Sequence, residues 1–318
     1  MDIWYLLLLQ AFREATNNVL TPFLEQLSLF AVTYLIMIPA FIYWIADRSK
    51  GFYTLVSYYV CCGLNAIVKL TACVYRPWIR DPRVVPAGDS IRTATGYSFP
   101  SGHTSTAGPI YGGIALTYRK VRKWISVICL VLLFLTMFSR NYLGVHTPQD
   151  VLAGFALSVL SLWAVNKGIG WLREHPGKED LVLLGMFIFG WLAIVCITFK
   201  QYPMLYVNGQ LLVDPQKMMN DGYGDIALLI AFPPARYIER RWIGFESPGL
   251  NPRGLFIGVC GLLPMIPMIR YMKPALDAVL GSHWGHLVNT VILVFYVIAL
   301  FPLIIKSVSG KKETGQDR

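Results

Sequence analysis

Apolar stretches recur along the chain at roughly 27–46, 52–70, 102–118, 124–140, 148–166, 181–199, 222–238, 254–272 and 286–305, separated by short polar or basic segments. A helix needs about 20 residues to cross a hydrocarbon core, with about 17–25 tolerated. The pattern therefore predicts an all-α, polytopic transmembrane helix bundle of about nine spans. The seventh stretch is the weakest, because it opens at Gly222 and holds Pro233 and Pro234; eight spans are the alternative if 222–238 does not cross. Residues 2–12 hold seven consecutive apolar residues behind Asp2, with no basic segment ahead of them. That is too short to span and a poor signal peptide. It predicts a short interfacial helix with Trp4, Tyr5 and Phe12 near the headgroups. The expected organisation is an interfacial segment over 1–26, a core over 27–170 and additional transmembrane helices over 171–318.

Composition agrees with a lipid-facing surface. Of 318 residues, 55% are hydrophobic and 14% charged, against about 25% charged in soluble domains. Disordered, collagen-like and nucleic-acid-coating chains are excluded, since they need more polar or basic surface. The net charge of +10 has a simpler source than a nucleic-acid partner, namely the Lys and Arg excess of cytoplasmic loops. With nine spans, 17 of the 28 Lys and Arg fall on one side, including Arg48, Arg119–Lys123, Arg240, Arg241, Lys311, Lys312 and Arg318. That side is expected to be cytoplasmic and to hold the C-terminus. The expected location is an integral membrane protein, in the cytoplasmic membrane if the chain is bacterial. The six cysteines show neither CxxC nor zinc spacing and read as buried thiols.

The chemistry concentrates on the other, extracytoplasmic side. Lys69, Arg76, His103, Arg140, His146 and Asp150 all lie at span ends there, and ionisable groups at membrane depth cost about 2.5–3.5 kcal/mol each. Lys69 and Arg76 are seven apart and share a helix face if the helix continues to Pro77. In Phe99-Pro100-Ser101-Gly102-His103, Ser101 is suited to cap a helix whose free N–H groups bind an anion, and Gly102 permits close approach. His103 is then placed to donate a proton. Thr147, Pro148 and Asp150 read as N-cap, N1 and N3 of the next helix. From N3 the Asp150 carboxylate can orient His146 and leave its other nitrogen bare as a nucleophile. Arg140 adds a cation with forked geometry for phosphate oxygens. Three cations, N–H donors and two imidazoles suit phosphoryl transfer.

Taken together, Lys69-x6-Arg76-Pro77, Pro100-Ser101-Gly102-His103 and Ser139-Arg140-x5-His146-x3-Asp150 resemble the three signature motifs of the type 2 phosphatidic acid phosphatase (lipid phosphate phosphatase) superfamily, in order and with its internal spacings. Gly102 is closer to bacterial lipid phosphatases than to the sphingosine-phosphate branch, whereas nine spans resemble longer members such as glucose-6-phosphatase. The resemblance implies that His146 attacks phosphorus to form a phosphohistidine and that Asp150 orients it. It implies that His103 protonates the leaving oxygen and then activates water. Lys69, Arg76, Ser101, Gly102 and Arg140 would hold the phosphate oxygens, with no metal or other cofactor.

The expected function is hydrolysis of a lipid phosphate or diphosphate monoester, with membrane lipids around the substrate and no nucleic acid. A lipid phosphotransferase of the same fold, a non-catalytic scaffold or carrier, and a soluble phosphate ester as substrate are the alternatives. Candidate headgroup contacts are Arg80, Arg83 and Arg92 between the first two motifs, and Asp221 and Asp225 of Asp221-Gly222-Tyr223-Gly224-Asp225. The plainer reading of that last segment is a turn with a capping acid. His283 and His286 have no motif partner and read as interfacial.

Overall fold

The computed structural model describes residues 2–207, 210, 211 and 213–309. Lys311, Lys312, Arg318 and the C-terminal tail that entered the charge count lie outside the described residues. The chain is helical: α1 (Asp2–Ala15), α2 (Thr21–Thr33), α3 (Met37–Phe41), α4 (Arg48–Ala72), α5 (Pro77–Arg80), α6 (Gly102–Tyr118), α7 (Lys123–Tyr142), α8 (Pro148–Glu174), α9 (Glu179–Phe199), α10 (Pro215–Ile238), α11 (Pro252–Pro267), α12 (Lys273–Leu280), α13 (Ser282–Phe295) and α14 (Phe301–Ser309). Tyr206–Val207 pairs antiparallel with Gln210–Leu211 in the connection before α10.

Every expected apolar stretch coincides with helix. Among the described residues, six helical stretches are long and apolar enough to cross a membrane: Arg48–Arg80, Lys123–Tyr142, Pro148–Glu174, Pro176–Phe199, Pro252–Leu280 and Ser282–Ser309. Thr21–Thr33 and Met37–Ala46, bent by 48°, make a seventh if they count as one span. The two that fall short are α6, which has 17 residues, and α10, which carries Asp221, Asp225 and Arg236. The reason is their position. α6 packs against α4, α7 and α8, and α10 against α4, α9 and α13, so both face protein more than lipid and can hold polar residues. On the outer helices large apolar side chains point outward, among them Leu152, Leu160 and Trp163 of α8 and Leu181, Leu192 and Phe199 of α9. So much exposed apolar surface suits lipid rather than water.

Three local expectations are corrected. α10 opens at Pro215, where Asp214 accepts a hydrogen bond from the Gln216 N–H at 2.9 Å. Residues 221–225 are therefore helical, not a turn. α4 ends at Ala72, because Cys73 adopts a left-handed φ of 51°. Arg76 thus leaves from an extended segment and does not share a helix face with Lys69. Cys61, Cys62, Cys73 and Cys129 are buried, but Cys196 and Cys260 are exposed on outer helix faces.

The start of α4 and the end of α10 are locked together. Glu239, fully buried, accepts from both Arg48 and Arg236. Arg236 also reaches Glu179 at 2.9 Å, and Arg240 and Arg241 both engage Asp180. Buried charges survive when paired and hydrogen-bonded in this way.

Candidate active site

At the opposite end of α4 and α10 lies a cavity of about 400 Å³ lined by Lys69, Arg76, Gly102, His103 and His146, and by Asp221 and Asp225. The segments that build it are tied by their backbones. The Ser98 N–H donates to the Val74 carbonyl at 2.7 Å, and the Ser101 N–H donates to the Asp150 carbonyl at 2.9 Å. Residues following α4, preceding α6 and opening α8 are thus held in one frame.

The caps form as their side chains dictate. Ser101 accepts from the Thr104 N–H at the start of α6, leaving first-turn N–H groups directed at the cavity. A methyl group added to Gly102 would meet no atom within 4 Å, so the glycine keeps the cavity floor open. Thr147 and Asp150 form a reciprocal capping box at α8, with Asp150 Oδ2 accepting from the Thr147 N–H at 2.7 Å and from Ser98 Oγ at 2.6 Å.

His146 is held by this frame. Its carbonyl accepts from Asn141 Nδ2 at 2.9 Å, and its Nε2 lies 2.8 Å from Arg76 Nη1. Arginine can only donate, so Nε2 presents its lone pair. The proton of the neutral ring is then on Nδ1, which faces Asp150 Oδ2 at 3.6 Å. That separation exceeds a hydrogen bond. Asp150 holds the ring electrostatically while its hydrogen bonds go to the cap and to Ser98. Burial, reinforced by the charges of Arg76, Arg140 and Lys69, holds the His146 pKa well below the ordinary histidine range, so the ring stays neutral.

The cations divide their work. Arg76 also donates to the Gly96 and Val145 carbonyls at 2.7 and 3.0 Å. Lys69 donates to the Tyr97 and Pro100 carbonyls at 3.0 and 2.6 Å, which shapes the loop ahead of His103. Arg140 is wholly buried; Nη1 reaches Ser28 Oγ, while Nε and Nη2 have no hydrogen-bond partner among the described residues. His103 Nε2 is likewise buried without one. Arg140 lines a separate cavity with Ser28, Arg92 and Thr93 rather than the one that holds the two histidines; unsatisfied guanidinium donors call for an anion.

The remaining candidates separate. Arg92 lines the cavity mouth and pairs loosely with Asp89 at 3.4 Å. Arg80 and Arg83 do not line it; they pair with Asp2 and Asp81 at 2.8 and 2.7 Å. Asp221 and Asp225 do line it. His283 is half-buried, and His286, expected at the interface, is buried, lines the cavity, and sits 3.7 Å from Asp221 and 3.6 Å from Asp277. Lys273, Asn289 and Thr290 also line it and were not foreseen. The polar pair Asn289-Thr290 inside the last apolar stretch was the available signal, because polar groups at membrane depth are costly and face interiors.

Residues 49–174 match the family model described as the PAP2 superfamily. Phosphatidylglycerophosphatase B of Bacillus subtilis is 36% identical over 99 residues, 29% of this chain and 48% of that protein. The bacitracin transport permease protein BcrC of Bacillus licheniformis is 31% identical over 132 residues, 40% and 62% of the respective chains. An undecaprenyl-diphosphatase of Sulfolobus acidocaldarius is 30% identical over 110 residues, 35% and 50%. The chain spans about half to three fifths of the length of these curated relatives. No solved structure matches it. The matched segment contains all three motifs and every histidine, arginine and lysine of the cationic wall, so the likeness to the PAP2 superfamily falls on the residues that build the site.

Proposed function

We propose that this protein is an integral membrane phosphatase that hydrolyses a lipid phosphate or diphosphate monoester through a phosphohistidine. The observation that carries this reading is the pairing of His146 Nε2, lone pair inward, with Arg76 Nη1 at 2.8 Å beside a second buried histidine in one cavity. When phosphate enters, its oxygens compete for the Arg76 guanidinium and free Nε2. Nε2 attacks phosphorus; the N–P bond forms as the bond to the leaving oxygen breaks, and His103 gives that oxygen its proton. His103, now neutral, takes a proton from water. The water oxygen attacks phosphorus, the N–P bond breaks, and inorganic phosphate leaves.

Arg76, Arg140 and the first N–H groups of α6 at Ser101 and Gly102 stabilise charge on the equatorial oxygens. Lys69 adds charge and fixes the loop. Asp150 orients His146. The positive-inside count and the position of the site at the end of α4 away from Arg48 support an extracytoplasmic opening with nine crossings. The motif-bearing core of 27–170 is then extended by the helices of 171–318. Relatives named for lipid phosphate chemistry support a substrate whose chain stays in the bilayer.

His146→Ala is expected to lower phosphate release from detergent-solubilised protein by at least about 10³-fold; turnover near that of the unaltered protein would remove the covalent mechanism. Release is expected to persist in excess chelator, because no step uses a metal ion.

A further inference from the structure

The wall of the cavity facing the histidines is built outside the matched segment, from α10, α12 and α13. It brings two carboxylates and an amide together with Lys273 and His286. Asp225 makes no hydrogen bond or ion pair with any described residue, and Asp221 is engaged by Thr95 Oγ1 and faces His286. Asn289 is 9% exposed, and its Oδ1 is buried with no partner. Carboxylate and amide oxygens accept hydrogen bonds and donate none. A carboxylate on a membrane-embedded helix is costly and is normally retained for a function. Lys273 and His286 share this wall, so it does not demand a net cation.

Resting on the phosphatase reading above, we propose that this wall binds free hydroxyl groups on the alcohol side of the scissile ester, so that the substrate is a phosphomonoester of a hydroxylated alcohol rather than a diphosphate. The phosphoryl group sits among Arg76, His103 and His146, and the hydroxyls next to it donate to Asp225 and Asn289. A second phosphate in the same place would bring negative charge against Asp221 and Asp225. A plain alkyl or prenyl alcohol would leave buried acceptors unmatched, and a site built to hydrogen-bond a hydroxyl rejects the analogue that lacks it. About 400 Å³ holds a headgroup-sized polyol. That polyol is either the glycerol end of a lipid or a free sugar phosphate.

The test uses the purified full chain and phosphate release from four esters: a lipid ending in glycerol phosphate, a hexose phosphate, a long-chain alkyl phosphate and a prenyl diphosphate. The better hydroxylated ester is expected to exceed the alkyl phosphate in kcat/KM by about 10- to 100-fold, the loss that follows from one missing hydrogen bond to a charged group. Which of the two hydroxylated esters leads identifies the source of the polyol. Asp225→Asn and, separately, Asn289→Ala are expected to shrink that ratio by about tenfold or more. The ratio is taken within one preparation, so a change in folded fraction cancels. Preference for the diphosphate, or an undiminished ratio in both variants, would overturn the subsite while leaving the phosphatase intact. Release from none of the esters by the unaltered protein would remove the phosphatase reading and the subsite with it.

Discussion

At one end of α4 and α10, Arg48, Arg236, Arg240 and Arg241 meet Glu179, Asp180 and Glu239, and the buried Glu239 binds two guanidinium groups. At the other end, about 30 Å away by the rise of α4, Arg140 keeps two nitrogens and His103 one without partners among the described residues, although the carboxylates of Asp221 and Asp225 line the cavity that holds His103. One end has spent its charges on itself; the other holds them apart. The difference separates a structural clasp from a site. In the clasp each ion is neutralised by design of the fold. In the cavity Lys69, Arg76 and Lys273 share the lining with Asp221 and Asp225, and only a molecule with a matching distribution completes them.

Beyond loss of turnover in His146→Ala, the sharpest way to break this comparison is at the clasp. Glu239→Gln leaves Arg48 and Arg236 facing a neutral group in a buried position, and removing one partner of a buried ion pair costs about 3–5 kcal/mol. Chemical denaturation should show that loss, with kcat/KM per folded molecule within about twofold. A variant equally stable but catalytically dead would merge the two ends. Arg140→Met should do the reverse. Phosphate turnover is expected to fall by about 10²–10³-fold, as when one transition-state donor is removed, while the melting temperature holds or rises, because an unpaired buried charge has been taken out. Inorganic phosphate should raise the melting temperature of the unaltered protein and do so less in this variant. A large drop in stability would show that Arg140 serves the fold.

The smallest effect is expected from pH. The folded state holds the His146 pKa below its unfolded value of about 6.5, so the unfolded chain binds the proton first. The neutral ring therefore imposes no penalty above about pH 6.5, and stability is lost as pH falls from there toward the folded pKa, by at most about 1.4 kcal/mol per pH unit. Melting curves from pH 8 to 5 should steepen in that window, and less so for His146→Gln. Turnover should follow a bell, with an acid limb set by His146 and an alkaline limb by His103; a flat profile from pH 5 to 9 would contradict these roles.

The cationic wall was legible because its residues sit in short motifs whose capping chemistry is local: Ser101, Thr147, Pro148 and Asp150 each act within four residues of their own position. The apolar periodicity located every membrane-length helix for the same reason. What could not be read were contacts between distant segments. Asp225 and Asn289 approach His146 only once α10 packs between α4 and α13, and nothing in the sequence near either residue records that packing. Arg76 was misplaced onto a helix by a period argument that Cys73 interrupts with a single left-handed residue. Cys196 and Cys260 were assigned to the interior because apolar surroundings in sequence do not distinguish a face toward protein from one toward lipid.

The first helix carries a consequence of its own. Arg13, buried at the end of α1, donates to the Tyr142 carbonyl at 3.1 Å and to the Val85 carbonyl at 2.7 Å. Tyr142 lies four residues ahead of His146, and the Leu143 carbonyl in turn accepts from the Ala87 N–H. A single guanidinium thus ties the amino-terminal segment, whose Trp4 and Phe12 face outward, to the strap that carries His146. Any force on that segment, such as that from a fused protein, is delivered four residues ahead of His146.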